Sequence, residues 1–304
     1  MNASAPNIRL VPYPSKILAP VDFSEPSTDA MRTAAFLSER FGATLGVLHV
    51  TRPNRPGSHS AAEQVGLSFD TRREGRVNLT QLLERELPQT MQPTRIVADG
   101  VPFEKICHTA ESWKAGLIVL STRGHSGFKQ VLIGSTAERV VRLAPCSVLV
   151  VRQRGKPVAG KPAEIEACRS ILVAIDFSRT SIQALRQAVS LAKEFDARLT
   201  LLHVVESIRT ELLVDTSQVQ RELRRAAQLH LRALLNRTRN AWANSYSELR
   251  SGSPVNVISD SVTRCEADLL IVGSSTKSTL KDRLLGSVAE RLVRLAPCSV
   301  WVVR

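Results

Sequence analysis

The stretch IGSTAERVVRLAPCSVLVVR, residues 133–152, decides the fold, because it returns at the end of the chain as LGSVAERLVRLAPCSVWVVR, residues 285–304. The two stretches are identical at 16 of 20 positions, at a shift of 152 residues. An earlier stretch, ILAPVDFSEPS (17–27), returns as ILVAIDFSRTS (171–181) at a shift of 154. A chain of 304 residues that repeats in this way is predicted to be two copies of one domain.

The segment between the copies, RQRGKPVAGKPAEIE, is charged, rich in Pro and Gly, and without hydrophobic periodicity. Such a composition is typical of a linker. We therefore predict four parts: an N-terminal extension at 1–15, a first domain at 16–152, a linker at 153–168 and a second domain at 169–304.

Short apolar runs alternate with helical segments in each copy. In the first copy the runs are ILAPVD, TLGVLHV, TRIVAD, LIVLS and SVLVV. Continuous apolar strands separated by helices indicate a parallel sheet buried on both faces, so each copy is predicted to be a doubly wound α/β domain of five strands. Serines mark helix starts: Ser24 and Ser178 are candidate N-caps, with Ser27 and Ser181 as alternatives. The pairs Ser135/Glu138 and Ser287/Glu290 are predicted capping boxes.

Composition limits the classes of protein. Hydrophobic residues make up 43% of the chain and charged residues 23%, which predicts a globular protein. The sequence shows no apolar run of the roughly 18 residues that a spanning helix needs, and no secretory signal, so we expect a soluble, cytoplasmic protein without a membrane partner. The five cysteines form no metal-binding or disulfide pattern and are interpreted as reduced thiols.

The net charge of +13 raises the possibility of a polyanion-binding protein. Residues 1–152 carry 18 basic and 13 acidic groups, and residues 153–304 carry 23 and 15, so the surplus is spread over both copies. Aromatic residues, which would stack on bases, make up only 4%. Nucleic acid is therefore the disfavoured partner.

One connection in each copy has the character of a phosphate-binding loop. STRGHSGFKQVLIGST (121–136) and GSSTKSTLKDRLLGSV (273–288) each run from the end of the fourth strand to a helix N-terminus, where free amides and the helix dipole suit an anion. Glycines allow a close approach, and Arg123, His125 and Lys129 add positive charge. Asp22 and Asp176 end the first strands, either to accept hydrogen bonds from a ribose or base or simply to cap the next helix. These features predict a nucleotide crevice.

With V-D-F-S after the first strand, L-H-V ending the second, and Gly-Ser-x-A-E-R with A-P-C-S-V near each end, the chain resembles the universal stress protein family in its tandem form. Nucleotide-binding members carry G-x-x-G, nine residues, then G-[ST]. Copy one has Ser121 in place of the first glycine, and copy two has Thr276 in place of the second. A β-branched residue at positive φ is a strong outlier, so copy one is expected to be the better site.

The resemblance implies strand order 3-2-1-4-5 and ATP as the ligand, with or without Mg²⁺. It implies pairing of the two copies through their last strands, Val148 to Val151 and Val300 to Val303, as an internal pseudo-dimer; a homodimer or another protein partner is left open. The residues implied to bind nucleotide in copy one are Asp22, Val50, Arg123, Gly124, Gly134, Ser135 and Thr136. Their counterparts in copy two, where occupancy is expected to be poorer, are Asp176, Val204, Gly273, Gly286, Ser287 and Val288.

Three function classes follow. The leading prediction is a nucleotide-binding, stress-response regulator. No nucleophile, metal or phosphate-transfer motif accompanies the crevice, so we expect no enzyme activity, slow ATP hydrolysis being the open alternative. A scaffold that keeps the fold without nucleotide is the second class, supported by the glycine that each copy has lost. A polyanion binder is the third.

Overall fold

A computed structural model describes residues 8, 10–51, 71–122, 133–152, 164–206, 217–274 and 285–304. The chain divides into two compact units, Tyr13–Val151 and Arg152–Arg304, the second of which also includes the chain up to Pro12. We call these units domain 1 and domain 2. Val11 belongs to domain 2, where its amide donates a hydrogen bond to Ser190 Oγ (3.1 Å) and its carbonyl accepts one from the same hydroxyl (3.2 Å).

Domain 1 is a parallel five-stranded sheet with helices between the strands. The described strands are hydrogen-bonded in the order β3-β2-β1-β4-β5. The elements are β1 Lys16–Val21, α1 Glu25–Phe41, β2 Thr44–Thr51, α2 Thr71–Glu86, β3 Thr94–Asp99, α3 Pro102–Ser112, β4 Leu117–Ser121, α4 Ser135–Leu143 and β5 Ser147–Val151.

Domain 2 repeats this architecture, and its described strands follow the order β8-β7-β6-β9-β10, again all parallel. The elements are β6 Ser170–Ile175, α5 Arg179–Phe195, β7 Arg198–Val205, α6 Ser217–Ala241, β8 Ser245–Ser251, α7 Pro254–Arg264, β9 Leu269–Gly273, α8 Ser287–Leu295 and β10 Ser299–Val303. The predicted doubly wound α/β fold with strand order 3-2-1-4-5 is therefore confirmed in each domain. The pairing of the two domains through their last strands stays a prediction.

The central strands carry the core of each domain. Ile17 and Leu18 of β1 are fully buried, as are Ile171 and Leu172 of β6. Successive residues of one strand point to opposite faces of a sheet, so burial of both neighbours shows that helices cover both faces. This is the arrangement that the unbroken apolar runs predict.

Two of the four predicted helix N-caps are confirmed. Ser24 and Ser178 are N-caps, and their hydroxyls accept hydrogen bonds from the amides three residues later, at 3.4 and 3.2 Å. The predicted capping boxes at Ser135/Glu138 and Ser287/Glu290 are wrong. Gly134 and Gly286 are the N-caps there, because they have the extended backbone and accept the first helical hydrogen bond, while the serines are already helical.

Candidate functional site

A cleft of about 840 Å³ opens in domain 1 at the carboxyl ends of the strands. Strands β1, β2 and β4 contribute its floor, the first turn of α4 closes one end, and helices α2 and α3 add side walls. This is the edge at which ligands of open parallel sheets bind. Of the predicted residues, the cleft is lined by Asp22, Val50, Gly134, Ser135 and Thr136. The predictions at Arg123 and Gly124 lie outside the described residues.

The N-cap of α4 has no side chain that could accept hydrogen bonds from the amides of the first turn. Gly134 has φ −63° and ψ 146°, and it has no side chain with which to bond the amides of the first turn. Those amides belong to residues that line the cleft, Ser135 to Ala137. Four N–H groups of a helix start lack intrahelical partners and carry the positive end of its dipole, so this end of the cleft suits an anion.

Asp22 shapes the turn between β1 and α1. Its Oδ1 accepts hydrogen bonds from the amide (3.1 Å) and hydroxyl (2.5 Å) of Ser24, and its own amide donates to Ser27 Oγ (3.2 Å). In domain 2 the Asp176 Oδ1 accepts from the Ser178 amide at 3.0 Å, and its own amide donates to Ser181 Oγ at 3.3 Å. The helices that follow are capped by Ser24 and Ser178, so the capping alternative for these aspartates is wrong. They hold the turn before each helix, and both residues line the clefts.

Each turn also contains a phenylalanine in the left-handed region, which the sequence analysis did not single out. Phe23 has φ 65° and Phe177 has φ 63°, a conformation that costs a non-glycine residue about 1–2 kcal/mol. The Phe23 ring packs on His49 with centroids 4.3 Å apart, and the His49 Nδ1 is 3.0 Å from the Val21 carbonyl. The ring contact offsets part of the backbone strain. The available signal was the V-D-F-S motif of copy one and its counterpart I-D-F-S in copy two.

Helix α2 forms a third wall that the sequence analysis also missed. Glu74, Gly75 and Asn78 of this helix line the domain 1 cleft. Gly75 is buried against β2: a Cβ added there would lie 3.0 Å from Thr51 Cγ2 and 3.1 Å from His49 Cδ2. The glycine therefore lets the helix approach the strand closely, and it brings polar side chains to the cleft.

The corresponding cleft of domain 2 is much smaller, at about 200 Å³. The predicted residues of this copy all line it: Asp176, Val204, Gly273, Gly286, Ser287 and Val288. Gly286 is an N-cap without a side chain, like Gly134. The sequence thus located both clefts, and the difference between them is one of space.

An aromatic contact distinguishes the second helix of domain 2 from that of domain 1. The buried leucines of α2 (79, 82 and 83) recur in α6 at 231, 234 and 235, a shift of 152 that places His230 at the position of Asn78. His230 packs edge-on against Phe177, with centroids 5.6 Å apart, and His203 packs on the same ring at 4.5 Å. The His230 imidazole thus contacts the Phe177 ring in domain 2, whereas the corresponding residue of domain 1, Asn78, is exposed.

The end of the fourth strand adds a second difference. A Cβ at Gly273 would lie only 2.8 Å from the Thr180 carbonyl carbon, so the start of α5 approaches the strand more closely than any side chain allows. Domain 1 has Ser121 at this position, with a real Cβ, so α1 cannot approach β4 as closely.

Charge in the domain 1 cleft is unevenly distributed. Among the described residues that line it, Asp22 and Glu74 carry formal charge, and both are acidic. Positive potential from the described part of the cleft comes from the start of α4. The described residues, those of the cleft included, contain no group of three or more His, Cys, Asp and Glu side chains able to hold a metal ion. The described helices include none that is both long enough and apolar enough to cross a membrane.

Comparison with known proteins agrees with this architecture. The sequence model of the universal stress protein family matches residues 14–152 and 168–304. Universal stress protein MJ0531 of Methanocaldococcus jannaschii is 32% identical over 139 residues, which cover 45% of this chain and 82% of that protein. YxiE of Bacillus subtilis, also a universal stress protein, is 29% identical over 149 residues, covering 45% and 99%.

A solved structure has the same fold over nearly the whole chain. The crystal structure of a universal stress protein from Archaeoglobus fulgidus superposes with a TM-score of 0.67 at 22% identity, covering 95% of this chain and 98% of that one. The two family matches together span both copies of the repeat. The chain therefore belongs to the universal stress protein family and carries two domains of that family in tandem.

Proposed function

We propose that this protein binds an adenine nucleotide, ATP, in domain 1 and acts as a stress-response regulator rather than as an enzyme. The observation that carries the proposal is the cleft of about 840 Å³ that ends at the uncapped N-terminus of α4. Small-molecule sites typically enclose roughly 300–1,000 Å³, and a helix start without a side-chain cap is suited to phosphate.

The chemistry of the cleft suggests how the nucleotide would lie. Phosphates would accept hydrogen bonds from the first-turn amides of α4 and from the hydroxyls of Ser135 and Thr136. The nucleoside would extend across the strand ends toward Asp22 and Val50. Any Mg²⁺ would enter with the phosphates, since the described residues offer no metal cluster of their own.

His49 is the one imidazole among the described residues that line the cleft, and its contacts favour binding without turnover. His49 has its Nδ1 within hydrogen-bonding distance of the Val21 carbonyl and its ring against Phe23. Those contacts orient the loop that follows β1. A general base has to reach the proton it removes in a productive pose. We propose that His49 supports the loop and that ATP serves as a bound regulator.

The second domain has a different proposed role. Its cleft of about 200 Å³ lies below the usual range for small-molecule sites. We therefore propose that domain 2 keeps the fold without binding nucleotide, as in the scaffold hypothesis. This confines that hypothesis to one half of the chain.

The test uses one substitution and its counterpart in the other repeat. Gly134→Asp gives α4 a capping side chain that occupies the first-turn amides and repels phosphate. Its Cβ has room, since the nearest atom found to it in the described residues, Thr122 O, is 3.6 Å away, an ordinary van der Waals distance. In equilibrium dialysis we expect ATP binding by the wild type, loss in Gly134→Asp and retention in Gly286→Asp, with melting temperatures maintained. Failure of the wild type to bind millimolar ATP, or unchanged binding by Gly134→Asp, would overturn the proposal.

A further inference from the structure

Helix α2 stands at the opposite end of the cleft from α4. In domain 1 the strands follow the order β3-β2-β1-β4, with α2 packed on β2 and β3 and α4 following β4. A nucleotide whose phosphates lie at the start of α4 therefore directs its base toward α2. The residues that α2 presents to the cleft are the ones that a base would meet.

Two contacts position α2 against the sheet. Gly75 packs against Thr51 and His49 more closely than most side chains would permit. Arg72, which lies three residues before Gly75 in α2, forms an ion pair with Asp99 at the end of β3, and its Nε is 3.8 Å from the Asp99 Oδ2. A helix held at these points presents positions 74 and 78, one turn apart, along the same face.

Glu74 and Asn78 are exposed and line the cleft, and within the described ranges neither side chain makes a hydrogen bond or an ion pair. An ionised glutamate only accepts hydrogen bonds, whereas the asparagine amide both donates and accepts. Adenine presents an amino group, a donor, beside ring acceptors. On the edge that carries N7, guanine presents two acceptors, O6 and N7, where adenine has its amino donor beside N7, so a carboxylate facing that edge accepts from adenine and repels guanine.

We infer that Glu74 and Asn78 on α2 are base-reading residues that select adenine over guanine. Glu74 accepts a hydrogen bond from the exocyclic amine on its N7 side, and the Asn78 amide donates to N7. This inference rests on the proposed nucleotide binding in domain 1. It adds side-chain readout to a cleft whose predicted residues lie along the strand ends and α4.

Domain 2 provides an internal contrast. The leucine register that relates α2 to α6 places Ala226 at the position of Glu74 and His230 at that of Asn78. The carboxylate is absent there, and the imidazole packs on Phe177. The pair of base-reading groups is thus present in the domain whose cleft is large and absent from the other.

The experiment measures the dissociation constants of ATP and GTP for the intact chain and three variants. Glu74→Gln can rotate its amide to donate to a carbonyl oxygen, so we expect it to bring the GTP/ATP ratio of Kd from about tenfold in the wild type toward one. Asn78→Leu is expected to weaken ATP binding by about tenfold. Glu84→Gln, an exposed site on the same helix that does not line the cleft, is the matched control and is expected to keep the wild-type ratio.

The outcomes separate this inference from the function on which it rests. A wild type that binds ATP and GTP equally, or variants that keep the wild-type ratio and affinity, would overturn the inference while leaving nucleotide binding in place. A wild type that binds neither nucleotide would overturn both. A change of ratio in Glu74→Gln but not in Glu84→Gln supports the assignment.

Discussion

At the scale of single residues, the turn after the first strand combines support of the fold with exposure to the cleft. Asp22 holds the turn by accepting from the Ser24 amide and hydroxyl, and the left-handed Phe23 places its ring on His49. Domain 2 repeats the turn with Asp176 and Phe177. Strained residues of this kind persist when their surroundings determine them, and they cluster at functional sites.

Two substitutions of Asp22 separate its structural role from its charge. Asp22→Asn keeps an oxygen that accepts from Ser24, so we expect little change in stability, together with weaker ATP binding because the carboxylate is lost. Asp22→Ala removes the acceptor and should cost about 1 kcal/mol in the free energy of unfolding. Urea denaturation of both variants checks this. Equal stabilities for Asn and Ala would contradict the turn-forming role.

Gly273 and Ser121 make a reciprocal pair for a second test. Gly273→Ser would drive a Cβ into the backbone of Thr180, only 2.8 Å away, and should destabilise domain 2 by about 1–3 kcal/mol. Ser121→Gly removes a side chain from a strand end and should cost at most about 1 kcal/mol. Denaturation followed by circular dichroism compares the two. A Gly273→Ser variant as stable as the wild type would disprove the close approach of α5.

Sequence reasoning at this scale succeeded where a local rule acts alone. Ser24 and Ser178 cap their helices because a hydroxyl three residues before an amide is sufficient. It failed at Ser135 and Ser287, because the extended backbone required of an N-cap falls on the preceding glycine. The left-handed Phe23 could not be predicted, since the ring contact that offsets its strain depends on His49 from another strand.

At the scale of elements, the two domains differ most in the second helix. Helix α2 spans 16 residues and carries Gly75 against β2, whereas α6 spans 25 residues and carries His230 against Phe177. The strands were predictable from their apolar runs. The contribution of α2 to the cleft could not be predicted in the same way. This helix faces the cleft through polar residues, and those residues are not repeated in the second copy.

Helix α2 is also tied to α1 by a partly exposed ion-pair network. Arg32 pairs with Asp29 on its own helix and with Glu86 at the end of α2. Burial acts to raise the pKa of Glu86, but hydrogen bonds and charge from Arg85 and Arg32 outweigh it and lower the pKa. Burial dominates at Asp29, whose pKa is raised despite Arg32.

The pH dependence of Arg32→Gln follows from these directions. A carboxyl whose folded pKa is lowered stabilises the protein above its unfolded pKa, near 4.5 for Glu86, and that contribution is lost as the pH falls through the folded value. We expect Arg32→Gln to cost up to about 1 kcal/mol at pH 7, because the arginine is partly exposed, and clearly less near pH 3.5. Arg76→Gln, on the exposed face of α2, is the control. A cost that does not change with pH would contradict the network.

At the scale of the whole molecule, two copies of one domain carry clefts of different size. Both keep the aspartate turn and a glycine N-cap, which has no side chain, at the start of the last helix, yet one cleft encloses about 840 Å³ and the other about 200 Å³. The lost glycines favour copy one as the nucleotide site, and the cleft of that copy is the larger of the two. They did not reveal the stack on Phe177 or the close approach at Gly273, since both arise from contacts between elements far apart in sequence.

Titration calorimetry of the intact chain with ATP is the most direct test of the central claim, which is that domain 1 alone binds nucleotide. We predict one ATP per chain, with Gly134→Asp reducing the stoichiometry to zero and Gly286→Asp leaving it at one. Two ATP molecules per chain, or a single site removed by Gly286→Asp instead of Gly134→Asp, would contradict the account.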